Sequence, residues 1–214
     1  MPQRFFLAAA WIGMLLIGAI FLSPRRNTRP PDFLPFYLAG KLAAAGQIAQ
    51  IYHKAAYQPW IAELRASGEQ MSSVDAHYFI RPAFQAFFYV PFSWFSYPVA
   101  SWLALLMNVV LLGVLVWKLP VWFSVPPSIR VLLAGFMPFL WSIGIGQDTL
   151  LLTLLVAYSL HAASRGREVL GGILLGLCVY KPHLVWAMPL ALLAGGGWKM
   201  ASSFLATASA LGAV

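Results

Sequence analysis

Apolar residues run almost unbroken over residues 5–22 and again over residues 97–117. Each run is long enough to cross a bilayer, whose hydrocarbon core takes about 20 residues of helix. The first run has Arg4 before it and Ser23-Pro24-Arg25-Arg26 after it. It exceeds the roughly 7–15-residue core of a signal peptide, and no small-x-small cleavage pattern follows, so a retained first span over residues 5–23 is predicted. Lys118 and Pro120 close the second run. Residues 24–83 form a more polar loop between the two, in which residues 33–50 and 52–66 carry apolar positions at helical spacing, interrupted by Gly46 and Pro59. That spacing predicts amphipathic helices lying on the membrane surface. An aromatic patch over residues 84–95, with Pro91 inside it, leads into the second span.

The apolar runs beyond it, residues 131–145, 149–163, 169–180 and 184–193, all fall short of the roughly 17 residues a straight span needs. Tight polar turns join them, GIGQD at 144–148 and YKPH at 180–183. Short runs joined in this way predict hairpins that reach partway through the membrane, with turns opening into a cavity. Irregular backbone at that depth survives only where it lines protein or water. If each pair is a hairpin, both turns lie on the side of the loop that holds Asp32. A last run, residues 200–214, ends without a polar flank, which predicts a longer parent chain. The expected fold class is an all-α membrane protein. It is a polytopic helical bundle with surface helices in the first loop, short hairpins around an outward-facing cavity, and a single transmembrane domain over residues 1–214.

Composition strengthens this picture. Of the 214 residues 61% are hydrophobic and only 9% charged, against about 25% charged in soluble domains, and the mean hydropathy is +0.77. The formal charge of +8 would suit nucleic acid. The basic residues, however, either flank apolar runs or lie in the first loop, so membrane lipids and phosphate-bearing lipids are the expected partners, not nucleic acid. Arg4, Lys118, Arg130, Arg165, Arg167 and Lys199 would share one face, which the positive-inside rule makes cytoplasmic. Arg25, Arg26 and Arg29 run against that assignment, in a loop at the length where the rule weakens. Cys178 is the lone cysteine, so no intrachain disulfide forms.

Ionisable residues at membrane depth are functional candidates by default. Asp32 stands just before an aromatic-rich helix, where a carboxylate can serve as general base or simply as a helix N-cap. Lys181, ahead of Pro182 at a hairpin apex, can hold a phosphate by point charge or snorkel to the interface. His183 can aid the same phosphate, act on a sugar hydroxyl, or serve as a structural hydrogen-bonder. Gln147 can hydrogen-bond a sugar or phosphate, while Asp148 suits an N-cap of the next helix. Arg81, ahead of Pro82 where the chain re-enters the membrane, can anchor at the interface or contact phosphate. Tyr37 and its aromatic neighbours near Asp32 can stack on a sugar. His53, Asp75 and His77 lack metal-ligand spacing, and zinc, EF-hand, P-loop and nucleophile-elbow patterns are missing, so neither metal nor cofactor is expected.

The order of these features resembles the integral-membrane GT-C glycosyltransferases, in particular glycosyltransferase family 87, the polyprenol-phosphate-mannose-dependent mannosyltransferases of bacteria. The matching elements are DFLPFYLAGKLAAAGQIAQIY after the first span, then RPAFQAFFYVPFSW, GQDTLLL and GGILLGLCVYKPH. Arg81-Pro82-Ala83 stands where the family carries a double proline. The resemblance implies a multi-pass protein of the bacterial inner membrane that moves a sugar, with inversion, from a polyprenyl-phosphate carrier to a lipid or glycan acceptor on the non-cytoplasmic side. It implies Asp32 as the base and Lys181-Pro182 near the lipid phosphate. Two other readings stay open at this point: a transporter or flippase for lipid-linked sugars, and a non-catalytic membrane subunit or remnant.

Overall fold

A computed structural model describes residue 30, residues 32–68 and residues 78–213. The expected first span, Asp75 and His77 lie outside the described residues. The described chain is helical, with no strand among the described residues. It groups into two compact units. One holds the described residues up to Ile80 together with Ala86–Leu150, and the other holds Arg81–Gln85 together with the chain from Leu151 on.

In the first unit, α1 (Phe33–Ala44) is buried on nearly every side, Lys41 being its half-exposed exception before the C-terminal turn. The expectation of a surface helix here is corrected. Phe33, Leu34, Phe36, Tyr37, Leu38 and Leu42 place apolar side chains all around the helix, and a helix apolar on all faces belongs in a core. Helix α2 (Lys54–Ala66) does have the expected one-sided pattern, burying Tyr57, Ile61 and Leu64 while its other faces stay open. The Tyr57 hydroxyl donates to the Ile51 carbonyl and ties the start of α2 to the preceding turn.

The aromatic patch forms a 3₁₀ turn, Ala83–Gln85, and helix α3 (Ala86–Ser93), which packs on α1. Phe36 stacks on Tyr89 with centroids 4.9 Å apart and planes 10° from parallel. Phe33 meets Phe92 edge-on at 5.7 Å. Such pairs add about 0.5–1.5 kcal/mol beyond area burial.

Helix α4 (Tyr97–Trp122) has 26 residues and is, among the described residues, the one helix long and apolar enough to cross a membrane. Pro98 sits in its first turn, where a missing N–H costs nothing. It runs past the expected stop at Lys118, since Pro120 near its end removes only the bond to the Val116 carbonyl. Tyr97, Ala100, Ala104 and Asn108 form one buried stripe, and Trp102, Leu106, Val109 and Val110 stay exposed opposite. The run over 131–145 is not continuous either. It breaks at Gly135-Phe136 into α5 (Ile129–Ala134) and α6 (Met137–Ile145), because Pro138 starts a new helix better than it continues one.

In the second unit, α7 (Thr149–Ser164) and α8 (Glu168–Leu177) are joined through the Ser159 hydroxyl, which donates to the Gly171 carbonyl at 2.7 Å. A 3₁₀ turn at Cys178–Tyr180 leads to short helices α9 (Pro182–Val185) and α10 (Met188–Ala194), then α11 (Trp198–Gly212). The run over 184–193 is thus also split, with Pro189 in the first turn of α10. Helices α8 and α11 approach backbone to backbone. A Cβ on Gly172 would lie 2.3 Å from the Met200 carbonyl oxygen and 2.9 Å from the Phe204 nitrogen. Gly172 and Gly176 form the small-xxx-small spacing that lets helices close up. Gly172→Ala is therefore expected to destabilise the protein by roughly 1–3 kcal/mol, as overpacking does. Gly212→Ala, with open space around it, should not. Thermal unfolding of the two variants in detergent checks the contrast.

Candidate functional site

Helix α6 ends on Gly146, which adopts φ 79°, ψ 29°. The Gln147 N–H donates to the Ser142 carbonyl at 2.9 Å and the Gly146 N–H to the Ile143 carbonyl at 3.2 Å. These two bonds define a Schellman stop, which places the next residue back over the last turn of the helix. The Ile145 carbonyl, one of the orphan acceptors at that helix end, receives the Asp32 N–H at 2.9 Å. The contact is close, for a Cβ on Gly146 would lie 2.8 Å from both Phe33 Cβ and Pro30 Cβ. The first turn of α1 is thus pressed against the GIGQD turn.

That contact fixes the carboxylate. Gln147 Nε2 donates to Asp32 Oδ2 at 2.6 Å, and Gln147 Oε1 accepts from the Thr149 hydroxyl at 3.3 Å. The orientation of the amide is dictated by chemistry, because an ionised carboxylate can only accept. Asp32 Oδ1 has no hydrogen-bond partner among the described residues. Asp32 is half-buried, at the positive end of α1.

The N-cap expectation for Asp32 is corrected in its chemistry. The residue occupies the cap position, yet its side chain makes no cap hydrogen bond. Its φ −80°, ψ −12° is helical, whereas a capping side chain is aimed by an extended backbone. The carboxylate is left for Gln147. Asp148 stands just before α7 and is 3% exposed, and its Oδ2 accepts the Tyr89 hydroxyl at 3.1 Å.

Tyr37 is 2% exposed, with its hydroxyl donating to the Phe95 carbonyl at 2.9 Å. Its ring packs against Tyr97 at 5.3 Å. Lys181, His183 and Arg81 belong to the second unit. Lys181 is enclosed by protein, 3% exposed, between the Cys178–Tyr180 turn and α9, so it does not snorkel outward. His183 is exposed on α9, and Arg81 is half-buried ahead of the Ala83–Gln85 turn. Among the described residues no three of His, Cys, Asp or Glu gather as a metal site would require.

The structure thus brings together Asp32 and Gln147, two candidates far apart in sequence, and adds three residues the sequence did not single out. Thr149 and Tyr89 fix the two polar side chains of the turn, and Gly146 permits the contact. A buried Asp148 demands a donor, but nothing in the local pattern points to Tyr89.

With the geometry in view, comparison with known proteins assigns the class: the chain is a glycosyltransferase. It belongs to glycosyltransferase family 87, whose model matches residues 79–214, well over half of the chain. No curated protein and no solved structure matches it significantly. The matched interval includes Gln147, Asp148, Lys181, His183 and Arg81 and leaves Asp32 and α1 outside.

Proposed function

We propose that the protein transfers a sugar, mannose foremost, from a polyprenyl-phosphate carrier to a hydroxyl of a lipid or glycan acceptor. In this reading it does so with inversion, as a multi-pass protein on the non-cytoplasmic face of a bacterial inner membrane. The observation that carries the reading is the Asp32 carboxylate, held on Oδ2 by Gln147 and unengaged on Oδ1 among the described residues. A general base needs an accepting oxygen within hydrogen-bond reach of the proton it takes, together with a second contact that fixes its direction.

In the proposed step, Asp32 Oδ1 takes the proton of the acceptor hydroxyl. The acceptor oxygen forms its bond to the anomeric carbon from the face opposite the phosphate, and the bond from that carbon to the phosphate oxygen breaks. The lipid phosphate leaves with the electron pair. A cation meeting that charge stabilises the transition state more than the ground state, which is the role proposed for Lys181. Arg81 and His183 are proposed contacts to the donor, and Tyr37 supports the site from within the aromatic core.

The test is transfer of radiolabelled mannose from polyprenyl-phosphate mannose in membranes holding the full-length protein. Transfer to a glycan acceptor is expected. An intact, folded protein that transfers nothing would overturn the reading.

Gln147 acts in this proposal by positioning Asp32. Gln147→Leu should lower kcat about ten- to a hundredfold with little change in donor KM. Gln147→Glu should move the acid limb of the pH–rate profile upward, because two carboxylates at this distance hold on to a shared proton. An acid limb that stays in place would mean that Asp32 is not the group whose deprotonation the rate requires.

A further inference from the structure

A cavity of about 400 Å³ opens in the first unit between α1, α2 and the chain that joins α3 to α4. Its size falls within the roughly 300–1,000 Å³ of small-molecule sites. Tyr37 and Tyr97, both buried, contribute to its lining. Trp94 borders it, 74% exposed, and Trp60 borders it from α2. The Lys41 ammonium sits over two rings of this lining, 5.0 Å from the Trp60 centroid and 5.6 Å from that of Tyr37. Glu63 brings a carboxylate to the same cavity, close enough to act on the Tyr37 phenol, which burial and then this charge push up to about 12.

The chemistry of the lining selects among ligands. It carries one cation and one anion, so a phosphate drawn by Lys41 meets Glu63. An acyl chain would strip water from both charges without replacing their hydrogen bonds. A neutral ligand with donors and acceptors on its rim and apolar ring faces satisfies all of it: Glu63 accepts, Lys41 donates, and the exposed Trp94 ring offers a stacking face. A pyranose has that form. Position adds to the argument, since Tyr37 and Lys41 lie on the helix that begins at Asp32. At about 1.5 Å per residue they stand roughly 8 and 14 Å along its axis from the carboxylate. A sugar bound there is farther from the reacting hydroxyl than one ring reaches.

We infer that this cavity is a saccharide subsite that holds a remote sugar of a glycan acceptor. The inference rests on the transferase reading above and names the acceptor class as an oligosaccharide. Binding energy from such a non-reacting sugar is a recognised means of orienting the reacting one.

The probe is linear mannotriose, tritiated, bound to the full-length protein in nanodiscs. Wild type should bind it more tightly than mannose. Trp94→Ala and Glu63→Gln should each weaken binding about tenfold, and Trp94→Phe should restore most of it. In transfer assays Trp94→Ala should raise KM for mannotriose as acceptor about tenfold and leave kcat and the KM of the polyprenyl donor unchanged. Transfer with a mannotriose KM indifferent to Trp94 and Glu63 overturns the subsite and leaves the transferase standing. Trp94-dependent mannotriose binding without any transfer overturns the proposed transfer reaction and the acceptor role with it, and leaves a saccharide site of another purpose. Binding of phosphatidylglycerol instead of mannotriose at Trp94 makes it a headgroup site and also overturns the proposal.

Discussion

Asp32→Asn is expected to lower kcat for sugar transfer by about 10³-fold, within the roughly 10²–10⁴ attributed to a positioned general base. The variant is close to isosteric, and its effect follows from the hydrogen-bond arrangement around it. Gln147 Nε2 donates to one oxygen of the carboxylate, so an asparagine turns its own oxygen toward Gln147 to keep that bond. Its NH₂ group then occupies the place of Oδ1. A donor faces the acceptor hydroxyl where the reaction needs an acceptor. Donor KM and thermal stability should stay near wild type, because no contact of the fold is lost. Initial rates at saturating donor and acceptor, alongside a melting curve, make the comparison. Equal transfer by the two proteins would remove Asp32 from the base role.

The second large effect is expected at Gly146. An alanine there meets two separate penalties. Its φ of 79° is left-handed, a region that costs an L-residue roughly 1–2 kcal/mol. Its Cβ would also collide with Phe33 Cβ and Pro30 Cβ, each 2.8 Å away, and overpacking adds about 1–3 kcal/mol. Relief of that collision separates the first turn of α1 from the GIGQD turn. The Asp32 N–H bond to Ile145 and the Gln147 bond to the carboxylate then fail together. Gly146→Ala should therefore lose both stability and activity, with kcat falling about a hundredfold or more in the protein that remains folded. Gly166→Ala supplies the control. Gly166 has a similar φ of 74° with nothing within 4 Å of the added Cβ, so it meets the conformational penalty alone. If the two variants melt together and retain equal activity, the close approach has no role in holding the site.

Much of the helical content follows from local pattern, which requires only short-range information. Proline and glycine place helix starts and stops at Pro98, Pro138, Gly146 and Pro189, since each changes the allowed backbone within a turn or two. The one-sided face of α2 is equally local. The burial of α1 is legible in its all-round apolar surface, but the helical spacing of the longer window 33–50, with Gly46 and polar residues at its end, predicts a single apolar face and conceals it. The 131–145 run shows the converse. Continuous hydrophobicity does not guarantee a continuous helix when Gly135 and Pro138 stand inside it.

The sequence by itself determined the helical class, the polar turns, and the placement of Asp32 and Gln147 at helix ends. Tertiary structure alone decided that these two residues meet across 115 positions of chain, that Tyr89 holds Asp148, and that Gly172 is pressed against the backbone of α11. Helix periodicity records which residues share a face within a few turns. A hydrogen bond between distant turns depends instead on how closely whole helices pack, and here a missing Cβ at Gly146 makes that approach possible.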